Sequence, residues 1–296
     1  MGRTEKLRAQ YEWYARYQGL PHIPVLLNAG ENRDSFFFDL EFATGFRPFF
    51  EFVHEVDAHI SSQVLSRVVH FTVESIHKPT GQGHNELSYL SYLNEKLMPK
   101  IEECLTFIPG FESFVNAPEI SINGATYRGL PEIQHILYTD AELRRYLSAY
   151  EECTVQGDLT FENILVDDKG DFLITDPNVG NSLSSPLIDF AKLYQSLHSG
   201  YEFLRKIDDV QVSGSEIIFK PAISATYEAL FGELQNILKA HISPDQEPAL
   251  IFHEAMHFAR LLPYRAKESP PVFYACFGTM IRLFNEFLEE FYNAHG

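Results

Sequence analysis

Asp158, Asn163 and Asp176 are the residues in this chain whose types and spacing could do chemistry together. They lie in the run Cys153 to Leu193, CTVQGDLTFENILVDDKGDFLITDPNVGNSLSSPLIDFAKL. Two carboxylates and an amide offer only oxygen ligands. A hard Mg²⁺ ion prefers such ligands and is usually held by one or two of them together with the phosphates of a substrate. Asp-x₄-Asn, a hairpin and then Asp is a pattern suited to phosphoryl transfer from a nucleotide, which depends on positioning and charge neutralisation.

These side chains meet only if the backbone gathers them. Thr154-Val155 is a short apolar run that ends in Gln156-Gly157-Asp158, where a strand gives way to a tight loop. Ile164 to Val166 is a second run, and Phe172 to Thr175 is a third. Between them Asp167-Asp168-Lys169-Gly170 reads as a hairpin turn, with glycine free to take a positive φ. Asp158, Asn163 and Asp176 then sit at the mouths of short strands joined by one hairpin. The plainer reading is a hairpin edged by Asp and Asn, which are common turn residues in any case.

Gln156-Gly157-Asp158-Leu159 with Asn163, followed by Asp176-Pro177-Asn178, resembles the aminoglycoside phosphotransferase and choline kinase branch of the protein-kinase-like fold. That family carries H-G-D-x-x-x-x-N and then I-D, a relative of the H-R-D-L-x-x-x-N and D-F-G motifs of protein kinases. Asp189-Phe190-Ala191 extends the resemblance, since the family has an Asp there that opens a helix and braces the catalytic loop. The resemblance implies that Asp158 is the base for the acceptor hydroxyl and that Asn163 and Asp176 bind Mg²⁺. It also implies that Gln156 and Asp189 support the loop and that ATP is the donor. The family's His is Gln156 here, at a position that shapes the loop rather than acting in the chemistry.

Upstream, Glu5 to Tyr17 reads as a helix with Leu7, Tyr11, Trp13 and Tyr14 near one face, ended by Gly19 and Pro21. Ile23 to Leu27 and Ser35 to Phe42 read as a hairpin around a polar turn at residues 28–34. Phe36 to Gly45 is similar to the family's hinge strand and linker, which implies that the backbone at Glu41, Phe42 and Ala43 meets the adenine edge. A kinase-like small lobe normally has a Gly-rich hairpin and a Lys-bearing strand before that helix. Neither pattern occurs here, and Glu5, Gln10 and Glu12 compete for the helix position that would pair with such a Lys. Either a partner chain or upstream domain supplies the missing phosphate cover, or the chain works without one, or it is not a catalyst.

Ser61 to His77 reads as a long helix that ends in a core or capping His77. Residues 79–135 read as an insertion, with helix at Glu86 to Leu105 and an Asn123-Gly124 hairpin. Helix is expected from Ile133 to Glu151, and after Asp189 to the end, including Ile217 to Leu238 and Ala249 to Leu262. His253-Glu254-Ala255-Met256-His257 matches H-E-x-x-H, the helical zinc metallopeptidase motif, but no third-ligand motif follows. The preferred expectation is that Glu254, His257 and Arg260 line the outer wall of an acceptor pocket.

The chain has 296 residues, 45% of them hydrophobic and 14% aromatic, enough for a sizeable core. Its net charge of −18 argues against a nucleic-acid partner or an anionic membrane and favours cationic or neutral acceptors. Three cysteines without pairing spacing suit a reducing compartment, and the polar N-terminus does not read as a signal peptide, so a cytoplasmic location is expected. No apolar run is long enough to span a bilayer. The expected fold is α+β and protein-kinase-like. Residues 1–43 form a truncated N-lobe, and residues 44–296 form a helical C-lobe with the catalytic loop at 156–163 and the metal-binding segment at 174–178. The expected function is an ATP- and Mg²⁺-dependent phosphotransferase acting on a small-molecule hydroxyl. A regulatory nucleotide-binding module without turnover is the alternative, and a zinc hydrolase using His253, Glu254 and His257 a remote one.

Overall fold

The computed structural model describes residues 3–32, 35–83, 86–180, 183–221 and 223–295. Helix α1 (Arg3–Tyr17) buries Gln10, Trp13, Tyr14 and Tyr17, a stripe at three- and four-residue spacing. Leu7 and Tyr11 flank that stripe and are only partly buried. The chain then turns at His22, which has φ of 65°, and its carbonyl accepts from Ile174 N–H. The following hairpin pairs β1 (Leu26–Glu31) with β2 (Phe36–Leu40). The first strand thus starts later than expected, because His22 is bonded to Phe172 O and Ile174 N–H instead. Arg33 and Asp34 of the expected turn lie outside the described residues. Leu27, Phe37 and Phe42 of this two-stranded sheet and its exit are exposed.

Strand β3 (Phe46–Pro48) leads into α2 (Phe49–Phe52) and α3 (Ala58–Phe71), which is capped by the Asp57 carboxylate on His59 N–H. Helix α3 ends in one wider turn at Thr72–Ile76, where His77 N–H reaches back five residues to Thr72 O. Such widened turns often mark functional positions. Next come β4 (Pro79–Gly83), α4 (Glu86–Lys96) and α5 (Met98–Cys104). The single helix expected over 86–105 is broken at Leu97, because Pro99 has no N–H to donate and its ring crowds the preceding turn.

Helix α6 (Glu112–Val115) precedes the hairpin of β5 (Glu119–Ile122) and β6 (Ala125–Arg128). Its Asn123-Gly124 turn has φ of 53° and 82°, the two positive values that such a turn requires. The helix expected over 133–151 is two, α7 (Leu130–Thr139) and α8 (Ala141–Leu147). Asp140 separates them, and its carboxylate caps α8 on Glu142 and Leu143 N–H. Strand β7 (Glu151–Cys153) pairs with β4 and delivers the chain to the loop at 156–163. Strands β8 (Ile164–Asp167) and β9 (Phe172–Ile174) form the expected hairpin, and β3 adds a third strand on the β8 side.

Helix α9 (Pro186–Leu197) and α10 (Tyr201–Leu204) follow. The chain after Asp189 is not wholly helical, as the sequence had suggested. A hairpin of β10 (Val210–Ser213) and β11 (Glu216–Phe219) intervenes, and β11 lies parallel to β5. Residues 210–219 read VQVSGSEIIF, apolar at alternate positions around Gly214, and Asn123 Oδ1 accepts from Phe219 N–H to seat the strand. Helix α11 (Ala225–Leu238) therefore begins eight residues later than expected, at the Ser224 cap. Helices α12 (Glu247–Glu268) and α13 (Pro270–His295) form the closing pair, and α12 runs through Pro263 without stopping.

The chain is thus α+β, a mainly helical body with four small sheets among the described residues. One core cluster runs from Trp13 and Tyr14 through Val64, Val68 and Phe190 to Phe258 and Phe277. Cys104, Cys153 and Cys276 are buried free thiols. No helix among the described residues is long and apolar enough to cross a membrane.

Candidate active site

The β8–β9 hairpin sets the first constraint. Ile164 pairs with Ile174, and just beyond that pair Thr175 N–H and Oγ1 both donate to Asn163 O, at 2.9 and 3.0 Å. Asn163 and the Thr175-Asp176 step are therefore held side by side. Asn163 Nδ2 donates to Asp158 O at 2.8 Å and to Asp158 Oδ2 at 3.0 Å. The three residues singled out by spacing are brought together.

Gln156 is fully buried, and each of its polar groups has a partner. Its N–H donates to Asp189 Oδ2 at 2.9 Å and its Nε2 to Thr175 O at 2.7 Å. Its Oε1 accepts from Asp158 N–H at 2.6 Å and its O from Asn178 N–H at 2.7 Å. The amide thus ties the loop to the strand end on both sides, a shaping task that needs no imidazole. Gly157 has φ of 82°, and a Cβ there would lie 2.0 Å from Asn178 O. Glycine is required at this position by both the backbone conformation and the space.

Asp189 sits in the first turn of α9, fully buried. Besides Gln156 N–H, it accepts from Gly157 N–H at 2.6 Å, and His77 Nε2 lies 2.9 Å from its Oδ2. His77 reaches it because the widened turn ends α3 there. A buried carboxylate with three donors is a fixed anchor for the loop.

Helix α1 fastens the other side. Gln10 Nε2 donates to Asp176 Oδ1 at 2.6 Å and to Pro177 O at 3.0 Å. Tyr14 Oη accepts from Asp176 N–H at 3.0 Å, and Trp13 Nε1 donates to Val155 O at 3.0 Å. The buried stripe of α1 is therefore also a hydrogen-bonding stripe. Of the three residues competing for the helix position, Gln10 is the one that meets Asp176, while Glu5 and Glu12 are exposed. Asp176 has φ of 48°, a left-handed conformation that Asp tolerates better than most residues, and the Tyr14 and Gln10 bonds hold it there.

Spacing alone did not reveal Lys192. Its Nζ lies 2.9 Å from Asp158 Oδ1 and donates to Gln195 Oε1 at 2.9 Å. It is the only cation in an otherwise buried helix α9, which is the signal that could have found it. Burial pushes the Asp158 carboxyl up, but the Lys192 ammonium, the Arg260 charge and the Asn163 hydrogen bond together outweigh it and hold the group below the usual carboxylate range. Burial also pulls Lys192 below the ordinary lysine value, against the attraction of Asp158. Asp158 keeps 28% of its side chain open, so an ionised carboxylate faces the outside of the loop.

Asn163 spends its Nδ2 on Asp158, which leaves its amide oxygen as a ligand, and Asp176 spends one oxygen on Gln10. The remaining donors are oxygens at the two strand mouths, a set whose chemistry fits a hard cation such as Mg²⁺.

At the expected hinge, Glu41 N–H already donates to Val25 O at 2.8 Å, Phe42 is 85% exposed, and Phe42 O and Ala43 O accept from Thr44 and Phe46 N–H. The Glu41 amide is thus not free for an adenine edge, because β1 is extended onto it.

The expected outer wall is only partly a wall. Glu254 is fully buried and accepts from Ser199 Oγ, and its other oxygen lies 2.8 Å from His198 Nδ1. His257 is fully buried, and its Nε2 donates to Ile188 O at 2.9 Å. Burial, with the charges of Lys192 and Arg260, keeps its imidazole neutral. Both residues join α12 to α9 and its exit, so neither lines a pocket. The arrangement also opposes the zinc reading, since a ligating nitrogen and both carboxylate oxygens are already engaged. Among the described residues no group of three His, Cys, Asp or Glu side chains is placed to hold a metal. Arg260, one turn after His257, is partly exposed, and its charge acts on both Asp158 and Lys192.

No family model matches the chain, and no curated protein matches it in sequence.

Proposed function

We propose that this chain is a protein-kinase-like phosphotransferase that uses ATP and Mg²⁺ to phosphorylate a hydroxyl of a small molecule. The observation that carries this reading is the convergence of Asp158, Asn163 and Asp176 on one hairpin mouth, with the loop between them clamped by Asp189, His77 and Gln156. Asp158, held ionised beside Lys192, takes the proton of the acceptor hydroxyl as its oxygen attacks the γ-phosphorus and the bond to ADP breaks. Asn163 Oδ1 and the Asp176 carboxylate would hold Mg²⁺, which neutralises phosphate charge when bound. Gln10 and Tyr14 fix the Asp176 carboxylate, and Lys192 orients Asp158. Phe42 and Ala43, rather than the Glu41 amide, are left to meet adenine.

The test is calorimetric binding of ATP with and without Mg²⁺, together with ADP release, on wild type, Asp158→Asn and Asp176→Ala. Mg²⁺-dependent binding should be lost in Asp176→Ala. It should survive in Asp158→Asn, where ADP release is abolished. No binding to wild type under any condition would sink the reading.

A second reading, a regulatory nucleotide-binding module, is favoured by one observation: the neutral Gln10 stands against Asp176, where a cation-supported pair would otherwise serve the phosphates. Mg²⁺-dependent binding without ADP release from wild type, with or without a partner that covers the phosphates, would select it.

A further inference from the structure

A cavity of about 320 Å³ lies against His77, the residue that reaches the Asp189 anchor. Its walls come from the exit of α3, the stretch leading into and along β7, the start of α9 and the segment between α11 and α12. None of Asp158, Asn163 and Asp176 lines it, so it is separate from the hairpin mouth. Its size is that of a pocket for a small molecule.

Two imidazoles line this cavity with a nitrogen to spare. His77 Nε2 faces Asp189 Oδ2, an acceptor, so that nitrogen carries a proton. In the neutral ring Nδ1 is then a bare lone pair. It is enclosed and has no hydrogen-bond partner, on a side chain only 4% exposed. His241, from another wall, repeats the pattern, with Nε2 enclosed and unpartnered. Burial holds its imidazole below the ordinary value, so the ring is neutral at pH 7 and can present Nε2 bare. Enclosed polar atoms without partners are costly, and native structures keep few of them. Two acceptors on one cavity call for a donor. Glu151 and Glu152 line the same cavity and no lysine or arginine does, so a donor that is also a cation is favoured. Leu187 and Ile242 supply apolar wall for a short carbon frame.

We propose that this cavity binds a small organic ammonium ion, whose N–H groups donate to His77 Nδ1 and His241 Nε2, and that its occupancy tightens the loop at 156–163 through His77 and Asp189. Asp189 accepts from Gln156 N–H and Gly157 N–H, and His77 is its third donor. A cation donating to Nδ1 draws charge from the ring and polarises Nε2–H, which strengthens the bond to Asp189. The widened turn at Thr72–Ile76 ends at His77 and so sets the ring between cavity and anchor. That a tighter loop alters phosphoryl transfer rests on the phosphotransfer reading, but the site and its link to the loop do not.

Propylammonium is the probe, with propanol and propionate as neutral and anionic controls of the same length. Binding to the full chain is read from the ring-nitrogen NMR signals of His77 and His241. Propylammonium should move both saturably, propanol should bind more weakly and propionate not at all. His241→Leu should weaken binding by about tenfold, as for loss of one hydrogen bond to a charged group. Glu151→Gln, at an exposed position, should weaken it by about twofold. Melting temperatures show that both variants keep the fold, and if His241→Leu does not, Glu151→Gln and the three probes on wild type still decide. Hydrogen exchange at Gln156 and Gly157 N–H should slow on binding by more than exchange in the β5–β6 hairpin does. No saturable shift in wild type, or equal binding to His241→Leu, overturns the site. Propanol or propionate binding as well as propylammonium overturns the ammonium assignment. Unchanged exchange at Gln156 and Gly157 overturns the link to the loop. Absence of ADP release with the ring signals still shifting sinks the phosphotransfer reading alone and leaves the site standing.

Discussion

Lys192 Nζ lies 2.9 Å from Asp158 Oδ1, and the lysine side chain is only 5% exposed. Replacing it as Lys192→Met leaves a largely enclosed carboxylate without its cation. Breaking a buried pair costs about 3–5 kcal/mol, and the 28% exposure of Asp158 lowers the expected loss to about 2–3 kcal/mol in urea unfolding at pH 7. The sign with pH follows from the depressed Asp158 pKa. The pair stabilises above the ordinary value of 3.8, and that stability is lost as pH falls through the folded value. In Lys192→Met the main opposition to burial is gone and the folded Asp158 pKa rises, so this acid-side loss should shrink, while the acid limb of any ADP-release profile should move up. An unmoved acid limb would show that Lys192 does not set the charge of Asp158.

Gly157 and Asn178 O define the tightest backbone approach in the site, 2.0 Å to the Cβ that alanine would add. Gly157→Ala should therefore lose about 3 kcal/mol or more, from strain at φ of 82° and from pushing the Asp176 segment off the loop. Nucleotide binding should fall with it. Urea unfolding paired with calorimetry checks this, and wild-type stability in the variant would mean that the two loops are not packed as described.

Glu202 is buried, and it accepts from Ser196 Oγ at 2.7 Å, which itself accepts from Phe161 N–H in the loop at 156–163. Burial raises its carboxyl to about 7, against a partial lowering by the Ser196 bond. A raised folded pKa gives stability that is fully present below the unfolded value of 4.5 and lost as pH rises through about 7. The window corresponds to about 3 kcal/mol. Glu202→Gln keeps an acceptor for Ser196 and removes the titration. Its stability relative to wild type should rise between pH 4.5 and 8, and a constant difference across that range would refute the assignment.

Both Glu254 oxygens are engaged, by His198 Nδ1 and Ser199 Oγ. Glu254→Ala removes the partner of Ser199 Oγ and of His198 Nδ1, leaving His198 only Glu286 at 3.6 Å, and should cost about 3 kcal/mol. Glu254 raises the His198 pKa against burial, so the pair stabilises below the ordinary value of 6.5 and weakens as pH rises through the folded value. Stability curves from pH 5 to 9 should show wild type and variant converging at the alkaline end. Metal analysis should find no zinc equivalent that depends on His253, and a stoichiometric zinc lost in His253→Ala would reverse this reading.

The β8–β9 hairpin was legible because its information is local. Asp167 to Gly170 turns, Ile164 to Val166 and Phe172 to Ile174 alternate about it, and Asp158, Asn163 and Asp176 fall at fixed offsets from those strands. The Asn123-Gly124 turn was legible for the same reason. Strand β11 was not, because half of its pairing comes from β5, nearly a hundred residues earlier, and a short apolar run looks alike in a strand and in a buried helix. The breaks at Leu97 and Asp140 followed from Pro99 and from a capping carboxylate, both visible in the sequence but overridden by long apolar periodicity.

The sequence by itself determined which oxygens stand at the mouth of the hairpin and that Asp189 follows at a helix start. Only the tertiary structure decided which charges face them. Lys192 reaches Asp158 because α9 lies under the loop, and Gln10 reaches Asp176 because α1 folds back over it. Glu254 and His257 left the expected pocket wall because α12 packs that face on α9. Spacing along a chain fixes neighbours within an element, but the partner of a buried charge is fixed by which faces the core brings together.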